Sequence, residues 1–279
     1  MVTLSHADFN RLKELIYARC GIRMNETKKT MIEGRLQKRL KILGLQSFSL
    51  YCEYLFSRQG FDEETVFMIN EITTNKTDFF REPAHFEYLT RYALPELMRV
   101  ERFTVRRPLA VWSAGCSSGE EPYTLAMVIK EFSQKTGVEL PFTILATDIS
   151  TNVLEKARLA IYEEEKVLPV PPELKRKYLL KSKDPNKKIY RVIPGLRENI
   201  SFRRLNFMDG DFGFREHMDI IFCRNVIIYF DKPTQEKLLN RFCDYLSPDG
   251  YIFMGHSETV LGMDVPLAQV ASTVYRRSA

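Results

Sequence analysis

From residue 3 to residue 72 the apolar positions recur at helical spacing. Phe9, Leu12, Ile16 and Tyr17 mark one face of a first helix, and Ile32, Leu36, Leu40 and Leu43 one face of a second. Gly44 follows at once, as a helix stop should. Leu50, Tyr54 and Leu55, then Val66, Ile69 and Ile72, predict two further short helices. No strand pattern interrupts them, so an all-helical domain is expected over residues 1–74. Beyond a linking segment and helix at 75–107, the period changes. Residues 108–114 predict a buried strand, which runs into Gly115-Cys-Ser-Ser-Gly-Glu-Glu-Pro122. A helix carrying Leu125, Val128, Ile129 and Phe132 follows, with Pro122 in its first turn. A second strand at 142–146 ends in Thr147-Asp148, and Ser150 is placed to cap a helix reaching about Ile161. Further strands are expected at 200–202, 218–222, 251–254 and 273–275, with a helix over 233–246. Such alternation predicts an α/β domain over 108–279 with a doubly wound, mostly parallel sheet. One stretch, about 167–198, breaks the alternation. Its Asp184-Pro-Asn turn between two short strands predicts a small antiparallel β insert.

Composition fits that picture. The chain has 279 residues, 44% hydrophobic and 28% charged, which suits a globular protein and excludes a disordered or collagen-like one. No run approaches the ~18 apolar residues of a membrane span. The first ten residues lack the basic and apolar regions of a signal peptide, so a cytoplasmic protein is expected. Five scattered cysteines without a C-x-x-C pair suggest reduced thiols. Four histidines without ligand spacing suggest that no metal is bound.

The net charge of +5 is modest but unevenly spread. Eight basic and two acidic residues lie between Arg19 and Lys41, and eleven basic and two acidic between Lys175 and Arg204. On the second helix Lys28, Arg35 and Arg39 share a stripe, with Lys38 beside it. That face is either solvated surface or a dock for an acidic partner.

Three segments carry candidate chemistry. The Gly115–Gly119 turn after a strand, followed by Asp148 after the next, suits a nucleoside-containing cofactor, with Asp148 on the ribose hydroxyls. The turn departs from the dinucleotide pattern G-x-G-x-x-G. Glu120 and Glu121 would repel a pyrophosphate and attract a cationic cofactor such as S-adenosylmethionine; alternatively they only favour the helix dipole. Asn75-Lys-Thr-Asp-Phe-Phe-Arg81, between the domains, is a natural pocket wall, or else a packed linker. Cys223-Arg-Asn-Val-Ile-Ile-Tyr-Phe230 follows a strand carrying Asp219, with Asn225 placed to bond a cofactor and Tyr229 to aim a phenol at the reacting group. Asn206-Phe-Met-Asp209 is either an adenine wall or a turn.

The runs NKTDFFREPAHF, VWSAGCSSGEEPYT, ATDIS, NFMD, FCRNVIIYFD and GHSE, in that order across residues 5–277, resemble the CheR family of chemotaxis receptor methyltransferases. The resemblance implies a class I S-adenosylmethionine-dependent methyltransferase fold with an N-terminal helical domain and an inserted β-subdomain. It implies protein-glutamate O-methyltransferase activity on the cytoplasmic helical region of chemoreceptors, with S-adenosylhomocysteine as product, for sensory adaptation. By similarity Asn75, Thr77, Arg81, Gly115, Asp148, Asn206, Phe207, Arg224 and Asn225 surround the cofactor, together with Glu121 or its neighbour Glu120. Arg81 and Tyr229 would lie nearest the transferred methyl and be catalytic. Lys28, Arg35, Lys38 and Arg39 would form the receptor-docking surface. Some members grip a receptor tether with glycines in the insert's turn; KSKDPNKK has none, so tether binding does not follow. No general base is needed, because a glutamate with a pKa near ~4.3 is ionised at neutral pH. A monomer without membrane insertion or nucleic-acid binding is expected. The competing readings are a nucleic-acid methyltransferase, which the basic patches would serve, a non-catalytic docking protein that senses S-adenosylmethionine and, weakest because two glutamates face the turn, a nicotinamide oxidoreductase.

Overall fold

The computed structural model describes residues 3–100 and 103–278; residues 1, 2, 101, 102 and 279, which fall inside the expected spans 1–74, 75–107 and 108–279, lie outside the described residues. Four helices come first: α1 His6–Cys20, α2 Lys29–Leu43, α3 Phe48–Leu55 and α4 Arg58–Ile72. Ser5, Ser47 and Ser57 accept the first free N–H groups of α1, α3 and α4. Gly21 and Gly44 end α1 and α2 in the left-handed conformation. Phe9, Leu12, Ile16, Ile32, Leu36, Tyr51 and Met68 meet in the core of this domain. Two residues assigned to apolar faces turn outward: Tyr17 is 44% and Leu50 43% exposed. Leu15 packs inward on α1, while the Tyr17 hydroxyl donates to Asp231 of the second domain at 2.8 Å.

The basic stripe on α2 is divided by the fold. Arg39 is buried, and its Nε and Nη2 donate to the two carboxylate oxygens of Glu64 at 2.8 and 2.7 Å. The Tyr51 hydroxyl donates to the same carboxylate. A guanidinium held in this way does not present charge to a partner, which corrects the expectation for Arg39. Arg35 is also turned inward: it donates to the carbonyls of Ile72 and Thr73 and to the Thr74 hydroxyl. It clamps the chain where α4 runs into the linker. Lys28 and Lys38 are exposed, Lys38 pairing with Glu71 at 2.8 Å.

Among the described residues the second domain holds ten strands: β1 Leu109–Ala114, β2 Phe142–Asp148, β3 Ile161–Glu163, β4 Leu179–Lys181, β5 Ile189–Val192, β6 Ile200–Arg204, β7 Met218–Cys223, β8 Leu246–Met254, β9 Leu267–Ala271 and β10 Val274–Arg277. Seven form one sheet in the order β6-β2-β1-β7-β8-β10-β9. β6, β2, β1, β7 and β8 are mutually parallel, and β10 and β9 close the edge antiparallel. Helices cover both faces of this sheet. Glu120–Thr136 and the segment 83–100 pack with Val111, Ile144, Phe222 and Phe253; Lys232–Tyr245 packs with Trp112, Ile221 and Ile252. The order reverses beside β1, the switch point where open α/β sheets bind ligands at the carboxyl ends of the strands.

The small antiparallel sheet has order β3-β5-β4. It takes in Ile161–Glu163, which the sequence does not mark as a strand, because three residues ending a helix carry no period-2 signal. β9, with its solvent-facing Ala-Gln-Val, is likewise unmarked. The small sheet and the turn after β3 are tied to the rest of the chain. The Tyr162 hydroxyl donates to Ser118 O at 2.8 Å, and Lys166 Nζ donates to Thr77 O at 3.0 Å.

Candidate functional site

The carboxyl ends of β1, β2, β6 and β7, the linker 73–81 and the end of α1 enclose a cavity of about 1180 Å³, part of it open solvent. Asn75, Thr77, Arg81, Gly115, Glu121, Asp148, Asn206, Phe207, Arg224, Asn225 and Tyr229 all line it. So does Lys28, whereas Arg35, Lys38 and Arg39 do not.

The turn after β1 is pinned to β2. Gly115 N and Cys116 N donate to Thr147 O, and Ser117 N donates to Asp148 Oδ2 at 2.9 Å. Asp148 Oδ1 accepts from Ser150 N at 2.9 Å, so the carboxylate is aimed by two backbone donors. Ser150 caps nothing through its side chain; its backbone holds the acid instead. Burial raises the Asp148 pKa, and the backbone N–H groups oppose that shift. Gly115 has φ +84°, and a Cβ there would lie 2.5 Å from Val226 Cγ2. Only glycine allows the turn this close to the loop after β7.

Of the two glutamates, Glu121 faces the cavity and Glu120 does not. Glu121 accepts from Ser113 Oγ and from Arg224 Nε, both at 2.7 Å. Glu120 is buried beside Ser118, its pKa raised by burial. Arg224 also donates to Arg81 O at 2.5 Å. Arg224, just past β7, therefore ties the linker to Glu121 at the start of the helix Glu120–Thr136, and its planar fork suits such a multiple contact. Asn206 spans the domains: its Nδ2 donates to Arg19 O at 2.6 Å. Arg81 donates to Lys76 O at 3.1 Å and is half-buried. Tyr229 lies in a short turn, Ile227–Tyr229, and its carbonyl accepts from Arg23 N at 2.9 Å.

Backbone strain gathers here. Ser117 and Asn225 have φ values of +48° and +60°, and Phe80 and Glu82, on either side of Arg81, have +54° and +56°. Non-glycine residues in this region cost about 1–3 kcal/mol each and persist where the surroundings over-determine them.

The first domain adds a wall that the sequence does not announce. Cys20, Ile22, Arg23, Met24 and Met31 line the cavity, and nothing in their helical period separates them from core or surface residues. Burial pushes the Cys20 thiol up to about 12, so it serves as an apolar wall. Asp219 lies at the opposite end of β7 from the cavity, paired with Arg107 at 2.8 Å.

Among the described residues, Glu82, His85 and His256 bring potential metal-ligand atoms within 4.8 Å of one another, a grouping invisible in their spacing. The Arg224 guanidinium lies 3.4 Å from His85 Nδ1 and 3.7 Å from Glu82 Oε2. A fixed cation thus already sits at that group, and the cluster is part of the charge network behind the cavity wall. No helix among the described residues is long and apolar enough to cross a membrane.

The chain matches two family models: the CheR methyltransferase all-alpha domain over residues 7–73, and the CheR methyltransferase SAM binding domain over residues 75–276. It is 41% identical to the chemotaxis protein methyltransferase of Borreliella burgdorferi over 94% of this chain and 91% of that protein. It is 40% identical to chemotaxis protein methyltransferase 2 of Pseudomonas aeruginosa, over 96% and 92% respectively. For the chemotaxis protein methyltransferase of Escherichia coli K12 the identity is 38%, over 99% and 93%. On these matches, and on a parallel sheet whose switch point opens into the cavity just described, the chain belongs to the CheR methyltransferase family.

Proposed function

We propose that this chain transfers a methyl group from S-adenosylmethionine to glutamate carboxylates on the cytoplasmic helical region of chemoreceptors. The observation that carries this reading is the convergence of both domains on one cavity whose acids are Asp148, at the end of β2, and Glu121, in the first turn of the helix Glu120–Thr136. The cavity suits that cofactor. Asp148, aimed by two N–H groups, would take the ribose hydroxyls, and Phe207, Leu205 and Ile149 offer apolar walls for the adenine. No phosphate is demanded of a turn whose N–H groups are engaged by Thr147 and Asp148. Asn75, Thr77, Asn206, Arg224 and Asn225 complete the proposed binding set.

When bound, S-adenosylmethionine supplies a methyl group on a sulfonium, and transfer to a carboxylate cancels both charges. The chain's own work is then positioning, which supplies roughly 7–11 kcal/mol at most. Arg81 would draw in and orient the incoming carboxylate by a charge-assisted hydrogen bond. Tyr229, anchored through its carbonyl to Arg23, would orient the same group. No side chain is required to remove a proton. Lys28 and Lys38, both exposed, would meet the acidic receptor helix; Arg35 would contribute through the linker it clamps. The enzyme would work as a cytoplasmic monomer.

Calorimetric titration with S-adenosylhomocysteine tests the reading. Micromolar binding, abolished in Asp148→Ala, supports it. A folded protein that does not bind S-adenosylhomocysteine overturns it.

A further inference from the structure

The loop that presents Asn225 and Tyr229 to the cavity carries an unusual anchor. Asn225 is left-handed, at φ +60°, and Val226 follows at φ −117°, ψ −47°. Successive residues of opposite hand turn consecutive N–H groups to one side and form a concavity that attracts an anion. The anion here comes from the chain itself. Glu258, in the segment after β8, is 4% exposed. Its Oε1 accepts from Val226 N and Ile227 N, each at 2.9 Å. Its Oε2 accepts from Asn225 N at 2.9 Å and Gly255 N at 2.6 Å. Four backbone donors on two oxygens require a carboxylate with no proton between them. The two loops are pressed together at this point. A Cβ on Gly255 would lie 2.5 Å from Asn225 Nδ2 and 2.9 Å from Glu258 Oε2. Glu258 itself does not line the cavity; Asn225, Val226 and Tyr229 do.

We propose that Glu258 is a positioning residue for methyl transfer: an internal anion that holds the 225–229 loop in the left-handed shape that aims Asn225 and Tyr229 into the cavity. It rests on the reading under Proposed function. A glutamate that only filled a buried site would add stability and leave the cavity untouched. Glu258 instead determines the backbone of two residues in its wall, so cofactor affinity and turnover should depend on it separately from stability.

Glu258→Gln is the test. It keeps the shape but puts an NH2 group against two N–H donors, whichever way the amide is turned. S-adenosylhomocysteine affinity is expected to fall roughly 10- to 100-fold in the folded variant, the range set by leaving buried donors unpaired. Glu258→Asp keeps the charge and should recover part of the loss. Wild-type affinity in folded Glu258→Gln overturns the proposal. Should Glu258→Gln not fold, hydrogen exchange on the wild-type chain decides. The amides of 225–227 should exchange at least ~100-fold more slowly than open-chain amides, and open-chain rates overturn the proposal. Failure of the wild-type chain to bind S-adenosylhomocysteine would instead strike the functional reading, and the positioning role with it.

Discussion

Asp148 reaches the cavity with each carboxylate oxygen already accepting one backbone N–H. Its carboxylate therefore both presents a pre-aimed acceptor to the cavity and helps pin the turn after β1 to β2. Asp148→Asn should lower S-adenosylhomocysteine affinity by roughly 10- to 100-fold, the effect of one charge-assisted pair, and should also lower the melting temperature, because its NH2 group meets a backbone N–H whichever way the amide is turned. Gly115 is constrained twice, by φ +84° and by Val226. Gly115→Ala should weaken binding, and Val226→Ala should restore part of it by removing the methyl that clashes. Restoration in the double variant, read by calorimetry, separates the steric cause from the conformational one. Arg81→Ala and Tyr229→Phe should lower turnover, and Tyr229→Phe should leave S-adenosylhomocysteine affinity closer to wild type; wild-type rates in both would remove their catalytic roles.

At the scale of elements, α2 shows how one helix divides its cations. Arg39 and Glu64 form a buried bidentate pair with Tyr51 as a third partner. Removing one member strands a buried charge, which typically costs about 3–5 kcal/mol. Arg39→Ala should therefore depress the melting temperature sharply. Lys38→Ala, at an exposed pair that contributes about 0–1 kcal/mol, should not. If α2 docks receptor, Lys38→Glu should raise KM for receptor in a salt-dependent way and leave S-adenosylhomocysteine affinity close to wild type. The linker beyond α4 is held from both domains, by Arg35 on one side and by Arg224 and Lys166 on the other. That double hold explains how a segment with two left-handed non-glycine residues keeps its shape.

For the whole molecule, specific polar contacts join the domains. Asn70 exchanges two hydrogen bonds with Thr151 at 2.9 Å, and Tyr17 with Asp231, Asn206 with Arg19 O and Arg23 N with Tyr229 O add to the seam. Behind the cavity, burial and then the Arg224 charge pull the His85 pKa from 6.5 down to about 4. Below the unfolded value the unfolded chain takes up a proton that the folded chain refuses, so stability is lost as pH falls from about 6.5 towards 4. Between pH 7 and pH 5 this amounts to about 2 kcal/mol. His85→Gln should flatten that slope in urea-unfolding curves compared at each pH. The comparison with the variant matters because buried Glu120, Asp148 and Glu258, with raised pKa values, act with the opposite sign.

Local periodicity and turn chemistry were enough to place the helical domain, the parallel sheet and the cavity-lining segments around Gly115, Asp148, Asn206 and Asn225. Each of these is written in consecutive residues: a strand, a glycine where backbones meet, an acid at a strand end. Period put Ile32, Leu36 and Leu40 of α2 inward, but it could not say that Arg35 and Arg39 are turned in as well, because they look like surface cations until Glu64 and the end of α4 are brought against them. Nor could it reveal that α1 and the turn after it wall the cavity. The grouping of Glu82, His85, Arg224 and His256, and the seating of Glu258 in the loop after β7, were likewise hidden. Those partners are separated by dozens of residues, and only the closing of the sheet and the docking of two domains supplies the distances on which their charges and hydrogen bonds depend.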